Sequence, residues 1–155
     1  MAQYHTRIGH AHLKVRNLER ALAFYTRFFD LDVVEQVGSY AFLSGGEFHH
    51  EIALQALGDH APLASRGTVG LYHVAFEVPD ARAFAQAYQA LTEAGGAVGA
   101  VDHRISWAMY FNDPDGNGLE IYWDTRHLAT GASLWHGANL PLSDETIFAA
   151  LEPNS

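Results

Sequence analysis

Hydrophobic and polar residues alternate or recur at helical spacing along most of the chain, and these patterns predict its elements. In residues 8–15, IGHAHLKV, apolar and polar positions alternate, which predicts a strand with His10 and His12 on its polar face. Asn17 can cap a helix from 18 to 29, where apolar residues recur at helical spacing. The runs DVVEQV, SYAFLS and HHEIALQAL then predict three short strands.

The same order of patterns recurs in the second half of the chain. Residues 71–78, LYHVAFEV, predict a strand. Pro79 and Asp80 favour the start of a helix, and Gly95 and Gly96 favour its end. AVGAVD, SWAMYFN and GLEIYW predict three further strands.

This repeat predicts the fold class. When the two strand histidines, His10 and His73, are matched, the second copy follows the first at a constant offset along the chain. We therefore expect an α+β fold of two paired βαβββ modules, about 7–56 and 70–124. Both modules are expected to lie in one domain that spans 1–126.

Composition narrows the class of protein. The 155 residues are 48% hydrophobic, which suits one globular domain, followed by a tail over 127–155 with a short helix capped by Ser143. A net charge of -9 argues against a nucleic-acid partner. No apolar run is long enough to span a bilayer, and there is no cysteine, so we expect a cytoplasmic protein without a membrane partner.

Ten histidines and no cysteine restrict any metal ligands to His, Asp and Glu. Symmetry between the modules would bring His10 and His73 together on the inner wall of a curved mixed sheet. In GLEIYW the apolar residues take alternate positions, which leaves Glu120 on the inner side. Two imidazoles and one carboxylate are the ligands of mononuclear non-haem Fe(II) oxygenases, so we predict a metal site of these three residues.

A calcium loop is an alternative interpretation of residues 112–124, NDPDGNGLEIYWD. Asp113, Asp115 and Asn117 fall on ligand positions of the EF-hand template. That template would place Pro114 at its second position and requires helices on both sides, whereas the flanking runs here predict strands. We therefore interpret DPDGNG as a hairpin turn.

Three segments resemble the vicinal oxygen chelate superfamily, which includes glyoxalases, bleomycin-resistance proteins and type I extradiol dioxygenases. They are GHAHLKVRNLERALAFYTRFFDLDV, LYHVAFEV and YFNDPDGNGLEIYW, and the resemblance covers roughly residues 7–125. It implies paired βαβββ modules around a divalent metal. By position, the implied ligands are His10, His73 and Glu120.

Two further segments, HHEIAL and DHRISWAMYFNDPDGNGLEIYW, resemble the extradiol ring-cleaving branch. This resemblance implies Fe(II), with Mn(II), Ni(II) or Zn(II) as alternatives, and a catechol-type aromatic diol and O2 as substrates. It implies His50 as the acid/base that takes the proton of the diol, and His103 beside the oxygen. Tyr110 is implied as a donor to a substrate oxygen. A one-domain member is expected to form a homo-oligomer.

Two alternatives remain open. Glu51 can be aligned with Glu120, EIAL against EIYW, and would then be a fourth ligand, as in glyoxalase-like isomerases that use Ni(II) or Zn(II). A non-catalytic binding protein of the bleomycin-resistance type would suit the acidic charge. A fosfomycin-type thiol transferase is not favoured, because no cationic cluster for a phosphonate is evident.

Overall fold

The computed structural model describes residues 6–65 and 67–152. The chain forms two compact units. We call Met1–Thr68 with Asp113–Asn117 the N-terminal unit, and Val69–Asn112 with Gly118–Ser155 the C-terminal unit. Each unit contains one open, mixed sheet, of four strands in the first and five in the second. This arrangement confirms the predicted α+β class.

The N-terminal unit has the strand order β1-β4-β3-β2, with β1 parallel to β4 and the other pairs antiparallel. The side chain of Asn17 accepts a hydrogen bond from the Arg20 amide at 3.0 Å, so the predicted cap begins the helix. Ala21 and Tyr25 are fully buried on this helix. The elements are β1 (Ala11–Val15), α1 (Leu18–Phe29), β2 (Asp32–Val37), β3 (Tyr40–Ser44) and β4 (Ile52–Ala56).

The C-terminal unit repeats this topology and extends it, with the order β5-β8-β7-β6-β9. Asp80 caps α2 by accepting the Ala83 amide at 2.7 Å, and Ser143 caps α3. The tail supplies β9, which pairs with β6. The elements are β5 (Val74–Glu77), α2 (Ala81–Glu93), β6 (Gly99–Asp102), β7 (Ser106–Asn112), β8 (Gly118–Asp124), β9 (Leu140–Pro141) and α3 (Asp144–Ala149).

The constant offset of the two copies is confirmed. The first strands begin at Ala11 and Val74 and the first helices at Leu18 and Ala81, so strands and helices are shifted equally along the chain. The predicted strands 8–15 and 71–78 begin too early. In the structure the matched histidines, His10 and His73, each lie one residue before the start of their strand. In the N-terminal unit the partner strand begins only at Ile52, so the ladder stops there.

The tip of the β7–β8 hairpin is a turn whose two carboxylates, Asp113 and Asp115, already have hydrogen-bond or ion-pair partners within the protein. One oxygen of Asp113 accepts the backbone amides of Asp115 and Asn117, both at 2.9 Å. The other accepts the Tyr25 hydroxyl at 3.1 Å, and Asp115 pairs with Arg20 at 2.6 Å. Strands flank the turn on both sides, which supports the hairpin interpretation against a calcium loop.

Candidate functional site

The structure divides the six predicted site residues between the two units. Within residues 6–65 and 67–152, no three His, Asp or Glu side chains form a group that could hold a metal ion. The three predicted ligands do not share one unit, because His10 belongs to the N-terminal unit and His73 and Glu120 to the C-terminal unit. His50 lies in the unit of His10, and the other two predicted residues, His103 and Tyr110, lie with His73.

His73 and Glu120 are direct neighbours in the C-terminal unit. Nε2 of His73 lies 2.8 Å from Oε2 of Glu120. Glu120 is only 9% exposed, on the face of β8 opposite to the buried Leu119 and Ile121. Nδ1 of His73 is buried and has no hydrogen-bond partner within the described ranges.

This pair fits a divalent metal. Two donor atoms at right angles on one ion, each about 2.1 Å from it, lie about 3 Å apart, close to the observed separation. An imidazole nitrogen and a carboxylate oxygen are both ligands that divalent first-row metals accept. His73 and Glu120 therefore have the chemistry and the spacing of two adjacent ligands.

Tyr110 continues this pair into a hydrogen-bonded chain. It lies opposite Glu120 in the β7–β8 ladder. Burial, followed by the negative charge of Glu120 and a hydrogen bond to it, raises the pKa of Tyr110 to about 12, so the hydroxyl keeps its proton near neutral pH. The same hydroxyl lies 2.9 Å from Nε2 of His103. Four predicted residues thus meet in one cluster, His103, Tyr110, Glu120 and His73.

Two cavities in the C-terminal unit lie near this sheet. One of about 190 Å³ is lined by Tyr72, His73 and Tyr110, among others, and so adjoins the cluster. Another of about 710 Å³ is lined by Trp107 and Trp123, which pair with each other in the β7–β8 ladder. Strand alternation places these tryptophans on the face away from Glu120, so the larger cavity is separate from the cluster.

The N-terminal unit brings His10 and His50 together, with ring centroids 4.6 Å apart. The ring of Phe42 packs 4.9 Å from that of His50, and Nδ1 of His49 lies 2.9 Å from Nδ1 of His50. Burial, followed by the charges of His10 and His49, lowers the pKa of His50. This shift favours the neutral imidazole, which is the form that can accept a proton.

Glu51 closes the turn that precedes β4. Its two oxygens accept the backbone amides of Gly45 at 2.9 Å and of Phe48 at 3.2 Å. Burial opposes ionisation of Glu51, but these hydrogen bonds outweigh it and lower the pKa of the carboxyl. Both oxygens of the Glu51 carboxylate therefore hold this turn through backbone hydrogen bonds.

Strand register also corrects the alignment of Glu51 with Glu120. In the parallel ladders Ala11 pairs with Ile52, and the equivalent Val74 pairs with Leu119. The residue that corresponds to Glu120 is therefore Ala53. The match of EIAL to EIYW is wrong by two positions, because sequence similarity between short strands does not specify which residues pair.

Two contributions to the cluster were missed by the sequence reasoning. A Cβ atom on Gly118 would lie 2.1 Å from the carbonyl oxygen of Tyr72, so only glycine lets the backbone beside His73 approach β8. The second is the carbonyl oxygen of Ala138, which lies 2.9 Å from Nδ1 of His103. The glycine in GNG is a signal that sequence reasoning can use, whereas a backbone carbonyl has no sequence signature.

Comparison with known proteins agrees with this fold. Residues 7–121 match the profile of the family described as the Glyoxalase/Bleomycin resistance protein/Dioxygenase superfamily. The chain is 38% identical over 119 residues to "Catechol-2,3-dioxygenase" of Bacillus subtilis (strain 168), which covers 77% of this chain and 42% of that protein. It is 31% identical over 120 residues to "Biphenyl-2,3-diol 1,2-dioxygenase 3" of Rhodococcus globerulus, over 76% of this chain and 63% of that protein. The chain thus spans less than two thirds of the length of either relative.

Solved structures share the fold at lower identity. A glyoxylase/bleomycin resistance protein/dioxygenase domain from Frankia sp. EAN1pec has a TM-score of 0.65 and 22% identity, over 78% of this chain and 99% of that chain. Lactoylglutathione lyase from Agrobacterium tumefaciens has a TM-score of 0.59 and 23% identity, over 76% of this chain and 93% of that chain. With the repeated βαβββ units and the profile match, these findings show that the chain belongs to the Glyoxalase/Bleomycin resistance protein/Dioxygenase superfamily, the vicinal oxygen chelate proteins.

Proposed function

We propose that this chain is an Fe(II)-dependent extradiol dioxygenase that cleaves the ring of a catechol-type aromatic diol with O2. The observation that carries the proposal is the cluster in the C-terminal unit, where the His73–Glu120 pair at 2.8 Å continues through Tyr110 to His103. The similarity to proteins named as catechol and biphenyl-diol dioxygenases supports the same chemistry.

In this proposal His10, His73 and Glu120 hold the iron. Two imidazoles and one carboxylate are the donor set of mononuclear non-haem Fe(II) oxygenases, and these three residues would supply it. Bound Fe(II) supplies chelation of the diol and a path for electron density from its ring to oxygen. The carboxylate of Glu120 offsets part of the charge of the ion in a site where water has little access, since this residue is buried.

The other residues handle protons. A diol must lose a proton to chelate a metal, and the neutral imidazole that the lowered pKa of His50 favours can accept it. Tyr110 keeps its proton near neutral pH and therefore acts as a hydrogen-bond donor to a substrate oxygen rather than as a base. His103 in turn orients the Tyr110 hydroxyl across 2.9 Å.

The isomerase alternative is less well supported. It requires Glu51 as a fourth ligand, yet both oxygens of Glu51 already accept backbone amides, and Ala53 occupies the position that corresponds to Glu120. A non-catalytic binding protein would not need the Tyr110–His103 pair. We therefore propose a metal site of three protein ligands.

The direct test is ring cleavage. Protein loaded anaerobically with Fe(II) is mixed with a panel that includes catechol and 2,3-dihydroxybiphenyl, and air is then admitted. We expect the yellow ring-opened semialdehyde. No yellow product across the panel, together with tight Ni(II) or Zn(II) binding and turnover of a methylglyoxal hemithioacetal, would reject the dioxygenase and favour the isomerase.

A variant pair tests the role of His50. His50→Ala should retain iron, because His50 is proposed as an acid/base and not as a ligand, but should lose turnover by about a hundredfold or more. His60→Ala, at an exposed histidine elsewhere in the N-terminal unit, should retain both. Iron content is measured beside the rate, and loss of iron from His50→Ala would make His50 a ligand.

A further inference from the structure

We propose that the cavity of about 710 Å³ in the C-terminal unit is a second binding site, and that it takes a planar aromatic carboxylate. Its volume is in the range of small-molecule sites in proteins. The cavity lies on the face of β7 and β8 opposite to Glu120, so the sheet separates its occupant from the cluster that carries the proposed function. A ligand here would bind whether or not the chain cleaves catechols.

Aromatic rings form the floor of the cavity. Trp107 and Trp123 pair across β7 and β8, with ring centroids 5.2 Å apart and planes at 86°. The fully buried Phe84 of α2 packs against Trp107 with centroids 5.9 Å apart. Trp107 itself is only half-buried, so the chain leaves part of its ring uncovered. A planar aromatic ligand can pack against such a ring.

Two walls come from α2 and α3, which are fastened to each other. The Tyr88 hydroxyl of α2 donates to Asp144 of α3 at 2.7 Å. The guanidinium of Arg82 donates to the carbonyl oxygen of Leu151 at 2.9 Å, just beyond the end of α3. Ile147 of α3 is fully buried. These contacts hold the two helices at a fixed separation above the tryptophans.

The third wall is the segment 125–131, which folds back on itself. The Thr125 amide donates to the carbonyl oxygen of Ile105 at 2.9 Å, and the Gly131 amide donates to that of Leu128 at 3.0 Å. A Cβ atom on Gly131 would collide with the carbonyl oxygen of Thr125, so the wall requires glycine there. The cavity is therefore pre-formed by hydrogen-bonded backbone.

Unused hydrogen-bond donors at the cavity indicate the chemistry of the ligand. Within residues 6–65 and 67–152, three donor groups that line it have no acceptor, namely the guanidinium of Arg104 and the indole N–H groups of Trp107 and Trp123. A carboxylate offers two acceptor oxygens, and its planar geometry matches the fork of a guanidinium. An aromatic carboxylate would thus use both the rings and the donors.

The acidic side chains at the cavity have other roles. Asp80 accepts the Ala83 amide at 2.7 Å as the cap of α2, where the helix dipole offsets its charge. Asp102 accepts the Arg104 amide at 2.6 Å and so shapes the turn after β6. Glu152 is exposed to water, which screens its charge. Arg104 is therefore the charged group that we expect to select the ligand.

Titration with naphthalene-2-carboxylate tests the site. The whole chain is studied by calorimetry and by tryptophan fluorescence, with and without Fe(II), in the absence of air. We expect saturable binding with a Kd below about 1 mM and a change in tryptophan emission. The neutral naphthalene-2-carboxamide should bind about fivefold more weakly, and 2-naphthylmethylammonium more weakly still. No saturable binding, or tightest binding of the ammonium compound, overturns the proposal.

A pair of arginine variants tests the role assigned to Arg104. Arg104→Gln should weaken the carboxylate about fivefold, a modest factor because Arg104 is exposed, and should leave the carboxamide within about twofold. Arg27→Gln is the matched control, at an exposed arginine of the N-terminal unit, and should change neither Kd. Equal weakening of both probes by Arg104→Gln would show a structural role and would overturn the assignment.

A variant that fills the cavity tests its location. Ala149 lines the cavity from α3, and Ala149→Phe should abolish saturable binding of the carboxylate. Ala23→Phe, at an exposed alanine of α1, is the matched control and should retain it. Retained affinity in a folded Ala149→Phe variant overturns the location. Arg104→Gln decides the matter if Ala149→Phe does not fold.

Competition separates this site from the proposed active site. Saturating catechol on the anaerobic Fe(II) protein should leave the Kd of naphthalene-2-carboxylate within about twofold, because the two ligands lie on opposite faces of the sheet. Displacement by catechol would place the probe at the proposed metal site and would overturn this inference. A wild type that binds the probe but cleaves no catechol would reject the dioxygenase and leave the second site in place.

Discussion

The two units share one backbone plan and differ in what matching positions carry. In the C-terminal unit Tyr110 lies opposite Glu120 across the β7–β8 ladder. The corresponding cross-strand pair in the N-terminal unit is Phe42 and Ala53. One unit thus carries a hydroxyl and a carboxylate where the other carries a phenyl ring and a methyl group. The repeat determines where the side chains lie, and the residues at those positions determine the chemistry.

The two matched histidines differ in the same way. His73 is half-buried and lies against the carboxylate of Glu120. His10 is exposed and lies beside the ring of His50. Symmetry alone therefore predicts two imidazoles but not the carboxylate, which only the C-terminal unit supplies.

The largest effect is expected at the carboxylate. Glu120→Gln removes the charge that is proposed to bind iron, and should lower kcat/KM by more than about a hundredfold with loss of bound iron. Glu51→Gln is the matched control, since this carboxylate anchors a turn. It should retain iron and turnover and lose some thermal stability. Iron content and ring-cleavage rate are measured for both, and a reversed result would mean that the wrong carboxylate has been assigned to the metal.

The next largest effect is expected at Gly118, where the backbone lies close to that of Tyr72. A methyl group there would collide with the carbonyl oxygen of Tyr72 at 2.1 Å. Gly118→Ala should therefore lower the free energy of unfolding by about 2 kcal/mol and disturb the His73–Glu120 pair. Gly70→Ala, where nothing lies within 4 Å, should have little effect on stability in urea unfolding. Equal stability of the two variants would contradict the proposed steric requirement.

Tyr110→Phe places a phenyl ring opposite Glu120, at the position that Phe42 occupies in the N-terminal unit. It should lower kcat about tenfold, because a donor to a substrate oxygen is lost, while iron content stays unchanged. Tyr122→Phe is the control. It deletes a hydroxyl on the same face of the sheet, in the neighbouring strand β8, and this hydroxyl donates to Glu77 at 3.1 Å. Steady-state kinetics on one catechol compares them. The assignment of Tyr110 fails if both variants keep the wild-type kcat.

The smallest effect is expected at two helix tyrosines, Tyr25 and Tyr88, which occupy matching positions in α1 and α2. Tyr25 donates to Asp113 at 3.1 Å and Tyr88 to Asp144 at 2.7 Å. Burial first, then the charge of Asp113, raises the pKa of Tyr25. The hydrogen bond to Asp144, more than burial, raises the pKa of Tyr88.

A raised pKa in the folded state means that stability is present below the ordinary tyrosine pKa of about 10 and is lost as the pH rises above it. Each Tyr→Phe variant should be about 1 kcal/mol less stable at neutral pH, because it lacks one hydrogen bond. That difference should shrink in alkali, and more for Tyr25→Phe, since Tyr25 is fully buried. Urea unfolding from neutral to alkaline pH measures this, and parallel curves would contradict it.

The sequence by itself determined the elements and their duplication. The bounds of α1, β2 and β7 agree with the patterns of residues 18–29, DVVEQV and SWAMYFN, and one constant offset holds for the first strands and the first helices. These features depend on side-chain periodicity and on caps such as Asn17 and Asp80, which act within a few residues. Local physics is enough to specify them.

Only the tertiary structure decided the register and the contacts between distant segments. In the tertiary structure Glu51 anchors a turn, and Ala53 occupies the position that corresponds to Glu120. His10 and His73 each lie one residue before their strand. The tertiary structure also brought the two-residue strand β9 and the Ala138 carbonyl to His103. Strand register depends on pairing between segments far apart in the chain, and a backbone carbonyl is the same in every residue, so neither leaves a pattern that can be read from the sequence.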